Sequence, residues 1–216
     1  TGEIWRRAAA PFADRIRYGS AVVAVEPDRR VVTTADGTEI PYDHLVSTMA
    51  LDRLVPLVAG APTAVAEAAA SLVHQTVAVV GLGYEAPVTD DRSWLYFADL
   101  DVPCYRATNF AKYAPANVPG ADTARYSSWM CEVGWWAGGP VEGEALVEAV
   151  DAALRRTGLV APDAPVASRH LEVLDHAYPV PTPGRDAALR TVLPWLDERA
   201  ILSRGRFGTW RYEVGN

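Results

Sequence analysis

The chain has 216 residues, half of them hydrophobic and 22% charged, with 20 basic against 27 acidic side chains and a formal charge of −7. That length can bury one large core or two small ones. The acidic balance, spread without blocks, argues against a nucleic-acid partner, and no apolar run reaches the roughly 20 residues of a membrane helix.

Residues Ile4 to Phe12 read as a helix stub that ends near Pro11. Ala21 to Glu26 and Val31 to Thr34 read as strands by their β-branched content, joined by a turn at Pro27 to Arg30. Asp36-Gly37 signals a hairpin into Thr38 to Ile40, and His44 to Met49 reads as a short buried strand. Ala61 to Leu72 is alanine-rich and helical, entered through Pro62-Thr63. Strands are expected at the apolar run from Gln75, at Ser93 to Phe97, at Tyr105 to Phe110 and at Tyr126 to Val133. Gly143 to Arg156 is amphipathic, with Leu146, Val147, Val150, Ala153 and Leu154 on one face and Gly158 as its stop. A strand at Val166 to Leu174, a helix at Asp186 to Trp195 and a strand at Ala200 to Ser203 complete the series. Strands and helices do not alternate regularly, so the expected class is α+β, with a mixed or antiparallel sheet rather than a doubly wound one.

Cys104 and Cys131 are too few and too far apart for a disulfide framework or a metal spacing, and are expected as buried thiols of a cytoplasmic protein. The opening Thr1 to Arg7 carries no apolar signal region. His44, His74, His170 and His176 show no i, i+4 pairing, so no metal site is expected. Lys112 is the only lysine, as in proteins of GC-rich bacterial genomes; arginine is the better fork for phosphate oxygens.

Val80-Gly81-Leu82-Gly83-Tyr84-Glu85-Ala86 matches the G-x-G-x-x-A pattern of a dinucleotide fingerprint. A working fingerprint opens a helix whose N-terminus receives the pyrophosphate. Here Pro87 follows at once and forces extended backbone on its predecessor. The stretch is therefore expected to be a core strand whose glycines allow a bulge or close packing.

Two stretches combine arginines with tyrosines at strand spacing: Trp94 to Phe97 with Cys104 to Thr108, and Gly205 to Asn216. If the second is extended, Arg206, Gly208, Trp210 and Tyr212 share one face. A guanidinium forks two phosphate oxygens, and a tyrosine donates a further bond while its ring stacks on a base.

These same stretches carry a resemblance. Val31 to Gly37 and Leu45 to Met49 resemble the meander and following strand of the flavin-dependent amine oxidase and protoporphyrinogen oxidase superfamily. Trp94 to Phe97, Tyr105 to Thr108, Tyr113 to Pro119, Tyr178 to Pro181 and the glycine-rich C-terminal run resemble UDP-galactopyranose mutases, chiefly the eukaryotic type, and occur in that family's order. The resemblance implies a flavin-dependent isomerase that interconverts the pyranose and furanose forms of a UDP-sugar. Its reduced FAD is the nucleophile, attacking the anomeric carbon through N5 to give a flavin–sugar adduct. No side chain is then the catalytic group, and the protein positions substrate and flavin.

Carried onto this sequence, the resemblance implies that Arg106, Tyr178 and Tyr212 contact the diphosphate and that Trp94 and Tyr96 line the substrate pocket. Asn216 is placed near both pyrophosphate and flavin, Arg206 near the flavin, and Val22 where backbone holds the adenine of FAD. Cys104 in place of an aromatic residue and Ala111-Lys112 in place of small polar ones depart from the family pattern and bear on which sugar is used.

No G-x-G-x-x-G strand and helix is present, so the chain is expected to be a fragment that retains no FAD by itself. Its expected organisation is a partial FAD-binding domain over residues 1–55, a substrate-binding domain over 56–204 and a return segment over 205–216. The alternatives are an FAD-dependent oxidoreductase of the amine oxidase or protoporphyrinogen oxidase type and a non-catalytic nucleotide-binding module.

Overall fold

The computed structural model describes residues 2–99, 101–136 and 143–212. The chain divides into two compact units, Thr1–Leu72 with Pro181–Asn216, and Val73–Val180.

In the first unit, helix α1 (Gly2–Ala9) precedes the antiparallel meander of β1 (Val22–Glu26), β2 (Val31–Thr34) and β3 (Glu39–Pro41). The Asp36-Gly37 hairpin forms as its residues demand. Gly37 takes φ 83°, and the Asp36 carboxylate accepts from the Thr34 hydroxyl at 2.6 Å and the Thr38 amide at 3.0 Å. Strand β4 (Leu45–Ser47) is followed by α2 (Leu51–Leu54) and α3 (Thr63–Ala70). The chain returns to this unit through α5 (Arg185–Asp197) and β10 (Ile201–Ser203), which pairs parallel with β4. Leu51, Val55, Ala69, Val192, Leu196 and Ile201 are buried together.

Two expectations are corrected here. Residues 56–72 and 181–204 fold with the first unit and not with 73–180, because α3 packs on α5 and β10 pairs with β4. The described part of the C-terminal run, residues 205–212, is coiled and not extended. Thr209 donates to the Gly205 carbonyl and Arg211 to that of Arg206, each at 2.9 Å, and Trp210 turns into the core at 1% exposure. Arg206, Gly208, Trp210 and Tyr212 therefore do not form the face of a strand. A Cβ on Gly208 would fall 2.1 Å from the Arg204 carbonyl oxygen, so the coil closes only around glycine.

The second unit is a five-stranded antiparallel sheet in the order β6-β7-β8-β5-β9, built from β5 (His74–Tyr84), β6 (Trp94–Tyr96), β7 (Arg106–Asn109), β8 (Ser127–Trp136) and β9 (Val166–Pro179). Ala78, Val80, Leu82 and Tyr84 of β5 alternate onto one face with Leu95, Ala107, Trp129, Cys131 and Val133. Helix α4 (Gly143–Arg156) covers that face with Leu146, Val147, Val150 and Leu154, the stripe its periodicity predicts. Cys104 and Cys131 are buried thiols beneath it, as expected.

No helix opens after Gly83, so the fingerprint-like stretch is sheet backbone. Its glycines serve close approach. A Cβ on Gly83 would meet the Ser168 hydroxyl at 2.4 Å and one on Gly81 the His170 Cβ at 3.2 Å, while the β5–β9 register shifts between Gly83 and Tyr84.

Strand β9 runs five residues beyond the expected end at Leu174, past a second irregularity between the Gln75 and Val77 pairings. Thr76 holds this bulge by donating to the Asp175 carbonyl at 3.1 Å. Helix and sheet are tied by Tyr84, whose buried hydroxyl donates to Asp151 at 2.6 Å while Arg155 donates to the same carboxylate. Tyr84→Phe is expected to cost about 1.5–3 kcal/mol, the range for a buried bond to a charged acceptor. Urea unfolding followed by circular dichroism measures it.

Candidate functional site

The face of the sheet opposite α4 is set by the same alternation. Register places Tyr96, Arg106, Glu132, Val79 and Glu172 in one row across all five strands. Trp94, Thr108, Met130, Gly81 and His170 form the next row on the same face. The face thus gathers the chemistry that the sequence scatters between Val79 and Glu172.

Glu132 sits at its centre with only 4% exposure. One carboxylate oxygen accepts from the Tyr105 hydroxyl at 2.5 Å, and the other from Arg106 Nε at 2.9 Å and from Arg106 Nη2. The guanidinium reaches onward, with Nη2 donating to the Tyr178 hydroxyl at 3.3 Å and Nη1 to the Tyr96 hydroxyl at 3.5 Å. Its Cζ lies 5.3 Å from the Trp94 ring centroid, within cation–π range.

Burial works against the Arg106 charge, but the hydrogen bonds to Tyr96 and Glu132 and the Glu132 charge outweigh it and raise its pKa above the ordinary arginine value. Burial first, then Glu132, likewise pushes the Tyr105 phenol up, so it stays a proton donor to the carboxylate. A Cβ on residue 134 would meet the Gln75 Nε2 at 2.3 Å and crowd the Tyr105 ring at 3.3 Å, so glycine there leaves room for both side chains.

The rim of this cluster is aromatic and open. Trp94, Tyr96 and Tyr113 are each more than half exposed. Large rings left in water beside a fixed cation are the composition of a binding surface rather than of a core. The face continues along Gly81 and Gly83 into a cleft of about 510 Å³ bordered by Phe110, Met130 and His170.

Of the residues expected at the site, Trp94, Tyr96, Arg106 and Tyr178 are brought together in the second unit. Tyr212 and Arg206 lie in the first unit, the Arg206 guanidinium 5.8 Å from the Tyr212 ring centroid. Val22 borders an apolar cleft of about 410 Å³ there, with Val25, Leu45, Thr48, Met49 and Leu54. Asn216 lies outside the described residues.

Glu132 was missed by sequence reasoning. Its signal was a lone acid between Cys131 and Val133 in a hydrophobic strand, since a carboxylate buried there must find a cation. His74 and His176, which show no i, i+4 pairing in the sequence, are brought together by the β5–β9 pairing, their rings stacked 3.7 Å apart.

Residues 3–215 match the model of the flavin containing amine oxidoreductases, and the chain belongs to that family. Among solved structures it is similar to a reduced UDP-galactopyranose mutase, with 32% identity and a TM-score of 0.84 over 93% of this chain and 43% of that one. It also shares its fold with a protein described as a putative protoporphyrinogen oxidase from Exiguobacterium sp. 255-15 (14% identity, TM-score 0.62, 82% of this chain and 39% of that one). A third match is a fatty acid isomerase from P. acnes that produces CLA (14% identity, TM-score 0.56, 88% and 44%). The chain spans less than half the length of each.

Proposed function

We propose that this chain is the nucleotide-sugar-binding portion of a flavin-dependent mutase that interconverts the pyranose and furanose forms of a UDP-sugar. One observation carries the reading: a charged guanidinium, pinned by a buried carboxylate, hydrogen-bonds two tyrosine hydroxyls on an open, aromatic-rimmed face. Arg106 has only donors, so Tyr96 and Tyr178 accept from it and turn their own protons elsewhere. A fully ionised diphosphate, which only accepts, is the complement of such a set. The exposed rings of Trp94 and Tyr113 suit a base or sugar beside it. The 32% identity to the mutase over nearly the whole chain supports the same reading.

The residues of the first unit fit a flavin nucleotide. The apolar cleft at Val22 suits the flat face of a ring system, and Arg206 supplies a cation suited to an electron-rich reduced flavin. When bound, reduced FAD supplies the nucleophile for the sugar. The chain's own part is to hold the diphosphate through Arg106 and the tyrosines, which orients the sugar and stabilises the departing charge. An oxidase acting on a cationic amine fits less well, because Arg106 would repel its substrate.

Calorimetric titration with UDP and with uridine tests the reading. A charge-assisted contact contributes about 1.5–3 kcal/mol, so UDP is expected to bind about 10–150-fold tighter than uridine. Equal affinity for the two, or no binding of UDP, overturns it.

A further inference from the structure

We infer that Glu132 is a positioning residue: it fixes the rotation of the Arg106 guanidinium, and with it which donors face the bound diphosphate. The inference rests on the functional reading above and deepens it.

Arginine has five N–H donors in a rigid plane on a stem of four rotatable bonds. Left alone, that plane can present any edge to a ligand. Here Glu132 takes the Nε–Nη2 edge, the second Nη2 proton goes to Tyr178, and one Nη1 proton goes to Tyr96. Among the described residues, only the remaining Nη1 proton is left for an incoming oxygen. The guanidinium therefore meets the diphosphate through its Nη1 corner, flanked by two tyrosine hydroxyls that have already accepted from it.

Glu132 is itself removed from the ligand. Both of its oxygens are occupied, one by Tyr105 and one by Arg106, and its residue is almost wholly buried. With both oxygens already hydrogen-bonded, the carboxylate holds the arginine and has no unoccupied oxygen to compete for its remaining donor. Tyr105, over Gly134, completes the clamp by holding the carboxylate from its far side.

Glu132→Gln keeps the shape but loses the charge, and its amide nitrogen can only donate. With that nitrogen turned to the Tyr105 hydroxyl, which can accept, a single neutral oxygen is left for the guanidinium, which is held more weakly and turns more freely. UDP titrations of four forms of the chain decide the matter: unaltered, Glu132→Gln, Arg106→Lys and the double variant. Glu132→Gln is expected to weaken UDP binding at least tenfold while uridine affinity stays within threefold. Because Glu132 acts through the guanidinium fork, Glu132→Gln in the Arg106→Lys background is expected to cause no further loss.

Tight UDP binding by Glu132→Gln, or losses that multiply in the double variant, overturns the positioning role and leaves the functional reading standing. No UDP binding by the unaltered chain overturns both. Should Glu132→Gln not fold, the Arg106 Nε proton of the unaltered chain serves instead by nitrogen-15 NMR. A slowly exchanging proton in the UDP complex supports the clamp, and a rapidly exchanging one overturns it.

Discussion

Arg106→Ala is expected to destabilise the unit of residues 73–180 by about 3–5 kcal/mol, far more than an exposed arginine would. The cause is the partner it leaves behind. Glu132 is 4% exposed and cannot recover water, so its carboxylate would remain buried with only Tyr105 as a donor. Removing both charges is a different experiment. Arg106→Met with Glu132→Leu takes away the desolvation cost together with the attraction, and is expected to recover most of the loss. Hydrogen exchange of the β5 and β8 amides reports the stability of this unit separately from that of the other. If the apolar pair proves as stable as the ionic one, the ion pair owes its presence to binding and not to folding. A single variant as destabilised as the double would contradict the account.

Trp129→Ala is expected to cost a further 3–5 kcal/mol class of loss, about what removing a buried tryptophan from a packed core costs. Trp129 is 2% exposed on the α4 side of the sheet, paired in register with Leu82 and Asn109. Its register neighbours are held in strands, whose backbone cannot collapse into the space. Trp129→Phe removes only part of the ring, together with the indole N–H. Among the described residues the indole N–H has no hydrogen-bond partner, so the phenyl ring gives up volume but no bond. A cost below about 1.5 kcal/mol is expected for it. Far-UV circular dichroism in urea measures both variants without relying on tryptophan emission.

Both predictions concern one sheet, and its two faces were unequally legible. The buried face followed from pattern: the alternation of β5, the apolar stripe of α4 and the stop at Gly158 are local features with fixed periods. Arg106, Trp94, Tyr96 and Tyr178 were recognisable as residue types and by resemblance, but not as a cluster. The error at Gly205 to Tyr212 shows the limit. Alternating arginines and aromatics suggested a strand, whereas Gly205, at φ 82°, turns the backbone and Trp210 is drawn into a core built by distant segments.

By itself the sequence determined the class of the fold, the positions of most strands and helices, the hairpin at Asp36-Gly37 and the failure of the glycine pair after Val80 to open a helix. Those depend on torsional preference and hydrophobic period, which act over a few residues. The strand order that sets β8 between β7 and β5, the bulge preceding Tyr178, and the meeting of Glu132 with Arg106 and Tyr105 were decided only by the tertiary structure. A strand's register is chosen by the whole buried face at once. The partner of a side chain on the opposite face is then a consequence of packing that no short stretch of residues encodes.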